Sequence, residues 1–290
     1  MTRIIDSLAQ IAHPYDALFV DLWGCLHNGV EPFADAVNAL RQYKAQGGIV
    51  VLLTNSPRPK ASVIRQLERI GVPSDVYDEI ASSGDAAQQA LAAGMVGNKV
   101  YHLGPERDLS FFTGENGPID VERVPLEQAE GIVCTGLFDD LNETPDDYRL
   151  TILTGKTRGL KLLCANPDIL VDLGDKRIYC AGAIAEAYTQ AGGTSLYFGK
   201  PHSPIYQLAY TRLAAIAGRK IDQDRIFCIG DGISTDIRGG IAEDLDTLFI
   251  TGGLAATEIS EVDGKPDEVE LAKFIDAHKL TPTFTISHLR

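Results

Sequence analysis

The 290-residue chain contains no CxxC pair, and none of its apolar runs approaches the ~18 residues of a membrane span. The first absence removes zinc ribbons, and the second removes a spanning helix. Five cysteines, Cys25, Cys134, Cys164, Cys180 and Cys228, are odd in number and widely scattered. They indicate no disulfide framework and read as reduced core residues of a cytoplasmic protein. Basic residues are also scarce: 26 Lys and Arg stand against 40 Asp and Glu, for a formal net charge of -14. That balance argues against a general partner for nucleic acid or an anionic membrane, while leaving small phosphorylated ligands open because they answer to local charge. The opening segment, MTRIIDSLAQIAHPYD, carries acids and lacks the apolar block of a signal peptide.

What is present is an ordinary globular composition, with 44% hydrophobic and 23% charged residues in a chain long enough for two domains. The organising stretch is ALFVDLWGCLHNG, Ala17 to Gly29. Its apolar run ends at Asp21 and a turn glycine, Gly24, the pattern of a buried parallel strand with an acid at its carboxyl end. Apolar positions at Phe33, Ala36, Val37, Leu40 and Tyr43 predict a helix over 32–46. A second strand, Ile49 to Leu53, runs into Thr54, Asn55 and Ser56. A helix over 60–69, a strand near Ile80 and a helix from Ser83 or Asp85 complete a β-α-β-α-β pattern, the mark of a doubly wound sheet. From about Asn98 the texture changes to strand-like pieces (KVYHLG, VERV, GIVCTG, LKLLCANPD) around a helix over 145–157, which reads as an inserted α/β domain. The core is expected to resume at Thr194 with TSLYFGKP, a helix over 203–217, RIFCIGDGISTD and LDTLFITGG, and to end in a peripheral tail from Pro282.

Four strand-end clusters carry the chemistry: Asp21; Thr54 with Asn55; Lys200; and Asp231 with Asp236. Singly, each has an alternative: the acids as surface residues after a strand, Thr54 as a helix cap, Lys200 as a solvated cation. In order, each at a strand end, they make a far stronger signal together than any one makes alone. Two look-alikes fail. Gly155-Lys156-Thr157 has Leu150 where a P-loop needs its first glycine, and GDGIST has Thr235 where a dinucleotide fingerprint needs its third.

These clusters, with GKPHSPIY before the last core helix and CANPDILVD followed by CAGAIAEA in the insertion, resemble the haloacid dehalogenase superfamily. The likeness is to its branch with a large α/β cap, typified by the N-acetylglucosamine-metabolism phosphatase and pyridoxal phosphatase. The resemblance implies a Rossmann-like doubly wound core over 1–84 and 195–290, with a cap over 85–194 that closes over the site and chooses the substrate. It implies Asp21 as nucleophile and metal ligand, and the Trp23 backbone carbonyl, Asp231 and Asp236 at a Mg2+ ion. Thr54 and Asn55 would hold phosphoryl oxygens, and Lys200 would pair with phosphate and Asp21. Asn166 to Val171, including Asp168, is the candidate substrate-facing loop, with Gly182 and Ala183 opening the cap's last helix near it.

One position departs from the pattern. The superfamily's phosphatases place a second aspartate two residues after the nucleophile, as acid and base; here it is Trp23, whose indole N–H is neither. His27 is the nearest titratable substitute, or else a histidine hydrogen-bonded in the turn; Asp168 could approach from the cap, or fix the turn in NPD. The expected activity is therefore a cytoplasmic, Mg2+-dependent hydrolase of a small phosphorylated metabolite, acting through an aspartyl-phosphate as a monomer or a cap-mediated homodimer. The alternatives are a metal-independent carbon–halogen hydrolase, which an aromatic residue at Trp23 suggests and Asp231 opposes, and a catalytically weak phosphate-ligand binding protein.

Overall fold

The computed structural model describes residues 2–114, 117–173 and 176–290. They form two compact units: Met1–Thr54 with Arg65–Ala81 and Tyr206–Arg290, and Asn55–Ile64 with Ser82–Ile205.

The first unit is built on a seven-stranded sheet. Its order is Arg3–Ile4, Phe284–Ile286, Asp246–Ile250, Ile226–Gly230, Ala17–Val20, Ile49–Thr54 and Glu79–Ser82. The pairings from Arg3–Ile4 across to Ile49–Thr54 are all parallel. Ala17, Leu18, Phe19 and Val20 are wholly buried, which is why this central strand reads as unbroken apolar sequence. Phe19 lies opposite Cys228 on one side and Val51 on the other, so the register is set from both edges. The helix Ala34–Ala45 follows it and buries Ala36, Val37, Leu40 and Tyr43, the spacing of one helical face. From Ala17–Val20 the chain passes to Ile49–Thr54 on one side; the adjacent Ile226–Gly230 passes to Asp246–Ile250 on the other. Neighbouring strands whose connections run apart leave a crevice at their carboxyl ends. Asp21 and Asp231 stand at those two ends.

The second unit carries a five-stranded sheet in the order Thr194–Tyr197, Lys161–Cys164, Gly131–Cys134, Lys99–Leu103 and Glu122–Arg123, again parallel throughout. Its core gathers Leu103, Ile132, Leu162, Ile184 and Tyr188. The Tyr188 hydroxyl, buried with the ring, donates to the Leu160 carbonyl at 2.6 Å and so is not left unsatisfied. The hairpin Leu170–Leu173 with Lys176–Tyr179 follows the NPD turn, and the helix Ala181–Gln190 follows the hairpin.

Three expectations are corrected. Thr194–Tyr197 does not reopen the first sheet: it pairs along its whole length with Lys161–Cys164 and is an edge strand of the second. The segment from Pro282 is not peripheral, since Phe284–Ile286 is a strand inside the seven-stranded sheet and Thr285 and Ile286 are fully buried. Residues Asn55–Ile64 sort with the second unit, where Asn55 bonds Lys200 and Asp168 and Arg58 pairs with Asp108 at 3.0 Å. Among the described residues no helix is long and apolar enough to cross a membrane, and all five cysteines are buried without a disulfide.

Candidate functional site

In the first unit the two strand-end acids meet a thiol. One donor atom from each of Asp21, Cys25 and Asp231 lies within 4.8 Å of the others. Asp21 is 7% exposed, Asp231 6% and Cys25 1%. The approach is dictated by backbone. Asp21 N–H donates to the Ile229 carbonyl at 2.9 Å, extending the ladder one step beyond the strand. Gly24 takes a left-handed φ of +72°, and a Cβ there would lie 2.1 Å from Asp231 Oδ2; one on Gly253 would lie 2.0 Å from the same atom. Only glycines let the chain close on that carboxylate from both sides. The Leu254 N–H then holds Oδ2 at 2.9 Å. Two carboxylates brought together out of water lose solvation and repel, and a divalent cation removes both penalties. Buried anionic oxygens at this spacing fit such an ion, with the thiol as the exceptional donor.

Asp236 is not among the gathered donors. Its carboxylate, 2% exposed, accepts from Gly232 N–H at 3.2 Å and the Thr235 hydroxyl at 3.3 Å, and so shapes the turn that presents Asp231. Thr54 ends its strand buried.

Trp23, partly exposed, meets His27 edge to face at 5.3 Å between ring centroids. His27 is built into the turn: its carbonyl accepts from Gly24 N–H at 3.0 Å and its Nδ1 accepts from Gly29 N–H at 3.0 Å. That places the ring proton on Nε2, which is buried without a hydrogen-bond partner. Burial pushes the imidazole pKa down to about 4, so the ring is neutral across the physiological range.

The second unit organises a lysine. Lys200 is fully buried, and the Asn55 side chain grips its backbone in both directions. Asn55 Oδ1 accepts from Lys200 N–H at 2.7 Å, and Nδ2 donates to the Lys200 carbonyl at 3.1 Å. The same Nδ2 donates to Asp168 Oδ1 at 2.8 Å. Asp168 is fixed by Asn166, whose Oδ1 accepts the Asp168 N–H at 3.0 Å, and by Gly182, whose N–H donates to the Asp168 carbonyl at 3.1 Å. Asn55, Asn166, Asp168, Gly182 and Lys200 are thus one network. The Asn55 carboxamide is engaged by both Lys200 and Asp168.

Cys25 is the residue that the sequence alone does not single out. Read as a core cysteine, it is indeed buried, but beside two carboxylates. Its position four residues beyond Asp21, in the turn that returns to the strand end, is the signal that could have found it.

The comparisons with known proteins agree with this architecture. A family model described as haloacid dehalogenase-like hydrolase matches residues 18–116, and a second, HAD-hydrolase-like, matches residues 197–277. A crystal structure of a haloacid dehalogenase-like hydrolase from Brucella suis is 40% identical, with a TM-score of 0.87 over 99% of this chain and 100% of that one. The chain belongs to the haloacid dehalogenase-like hydrolases. An acid sugar phosphatase of Staphylococcus saprophyticus is 24% identical over 87% of this chain and 92% of its own length. The 5'-nucleotidase YutF of Bacillus subtilis is 25% identical over 84% and 90%.

Proposed function

We propose that this hydrolase is a Mg2+-dependent phosphohydrolase of small phosphorylated metabolites, with Asp21 as nucleophile and the inserted second unit in the part of the cap. The observation that carries the reading is the burial of Asp21 and Asp231 against each other at the switch point of the sheet. Bound between them, with the Trp23 carbonyl as a further oxygen donor, the ion would neutralise phosphoryl charge that otherwise repels an anionic nucleophile. Asp21 attacks phosphorus, the P–O bond to the leaving group breaks, and the aspartyl-phosphate so formed is hydrolysed by water, which regenerates the carboxylate and releases phosphate. Asp231 and, through its turn, Asp236 serve the ion. The Thr54 hydroxyl and the Asn55 backbone N–H are assigned to phosphoryl oxygens and Lys200 to their charge.

The acid sugar phosphatase and nucleotidase relatives support sugar phosphates and nucleotides as the substrate classes to try first. Trp23 narrows the expectation. With no acid at that position and a neutral, turn-bound His27, the leaving oxygen departs with its negative charge, so acyl and aryl phosphates react faster than alkyl esters. The test is a screen of metabolite phosphates and an aryl phosphate with Mg2+ added and then chelated. Phosphate release that stops on chelation and returns with Mg2+ is expected. Full activity in excess chelator would overturn the metal-dependent reading, and halide release from a haloacid in place of phosphate release would favour carbon–halogen hydrolysis.

A further inference from the structure

We propose that Cys25 is a sulfur donor of the Asp21–Asp231 cation site, so that thiophilic divalent ions of the Co2+, Zn2+ and Cd2+ class bind there in preference to Mg2+. The inference rests on the reading that a cation lies between the two carboxylates, and it adds what this chain's own cysteine does to that ion.

Three observations carry it. The Cys25 donor atom lies within 4.8 Å of a carboxylate oxygen of both Asp21 and Asp231. Donors that share an ion through bonds of about 2.0–2.3 Å stand at most roughly 4.6 Å apart, so a trio gathered within 4.8 Å needs at most a small adjustment to share one. Cys25 is 1% exposed, so the sulfur beside the two carboxylates is shielded from bulk water. The turn that carries it is held by its backbone: Leu26 N–H and His27 N–H both donate to the Leu22 carbonyl, at 2.8 and 3.1 Å.

The chemistry of the donor set then decides between ions. Two carboxylates alone suit Mg2+, which takes oxygen and keeps its waters. A thiolate beside them suits the softer ions, which also bind nitrogen and sulfur more tightly along the first transition row. Coordination releases the thiol proton to solvent and leaves the sulfur anionic on the ion. A site read as a hard-cation site would in this chain be poised to be captured by a soft one.

The test is spectroscopic and needs no turnover. The full chain, stripped by dialysis against chelator, is titrated with Co2+. One equivalent should raise a thiolate-to-cobalt charge-transfer band in the near ultraviolet. Cys25→Ser should abolish the band and weaken Cd2+ binding at least about tenfold by calorimetry, while Mg2+ affinity stays at the wild-type level. The other four cysteines are present in both proteins, so the difference reports Cys25 alone. Co2+ bound without the band, or a Cys25→Ser protein with unchanged band and Cd2+ affinity, overturns the proposal and leaves the cation reading standing. Failure to bind Mg2+, Co2+ and Cd2+ alike overturns both.

Discussion

Replacing Asn55 by aspartate tests whether this residue is the clamp on Lys200. The substitution preserves shape and keeps Oδ1, which accepts from Lys200 N–H at 2.7 Å. It exchanges the amide donor for an oxygen that would face Asp168 Oδ1 at 2.8 Å and the Lys200 carbonyl at 3.1 Å. Two hydrogen bonds are lost, two oxygen–oxygen contacts are gained, and the groups left behind are buried or half-buried. An orphaned carbonyl costs about 1–3 kcal/mol and a lost bond to a charged partner about 1.5–3, so Asn55→Asp should destabilise by roughly 3–5 kcal/mol. The sign of its pH dependence also follows. Burial and the like charge of Asp168 raise the new carboxyl's folded pKa above its unfolded value. The deficit is therefore full at neutral pH and shrinks as pH falls through that raised pKa. Urea unfolding followed by far-ultraviolet circular dichroism, at neutral and at mildly acidic pH, measures both. A variant within ~0.5 kcal/mol of wild type, or a deficit that grows on acidification, refutes the clamp.

Other consequences are equally open to measurement. Asp231→Asn should lower Mg2+ affinity by calorimetry and phosphatase activity together; activity lost with affinity intact would detach Asp231 from the ion. Asp21→Asn should end turnover yet bind an anionic phosphate analogue as well as or better than wild type, because one facing negative charge is gone; residual turnover at the wild-type rate removes Asp21 as nucleophile. Trp23→Asp should raise activity on alkyl phosphates by up to ~10²-fold, the usual worth of a positioned acid, and a folded variant with no gain shows that the position is misread. His102, held by Thr135 at 2.9 Å, has its pKa pushed down to about 4 by burial and then by Arg123. Its folded pKa lies below the unfolded value, so it takes stability away as pH falls from about 6.5 towards 4, and His102→Gln should flatten that limb of the urea midpoint against pH.

Much of the fold is legible because it is written locally. Ala17–Val20 reads as a buried strand since four successive apolar side chains admit no solvent face, and the helix Ser203–Ala217 occupies the bounds that its sequence predicts. The two strands that the sequence misplaces have equally clear local patterns, but their location depends on partners far along the chain. TSLYFGKP is plainly strand-like, yet Leu163 opposite Leu196 decides which sheet it joins. The C-terminal TFTIS alternates, with Thr between Phe and Ile, which suits an exposed edge. Instead Thr285 is fully buried and its hydroxyl shares a 2.8 Å hydrogen bond with Thr2, near the opposite end of the chain. A polar residue that finds its partner 283 positions away leaves no local trace of being interior.

The same division separates the site residues. Asp21, Thr54 and Asp231 are legible as candidates because each closes, or directly follows, an apolar strand of the first sheet, where a doubly wound sheet presents its crevice. Lys200 is legible because it follows a strand-like run by a few residues, although that strand belongs to the second sheet. Asn55 is legible as a candidate from its place just after a strand, but what its side chain does is not. Only the Lys200 backbone, 145 residues on, shows that both ends of its carboxamide are already engaged. Asp236 is the mirror case. Its motif suggests an ion, but the bond from Gly232 N–H shows a carboxylate used to bend the chain. Cys25 is the most instructive. A cysteine in an apolar stretch is most economically a core residue, and burial alone would confirm that. What changes its meaning is Gly24, whose missing Cβ brings Asp231 from the adjacent strand against the turn and so turns a packed thiol into a neighbour of two carboxylates.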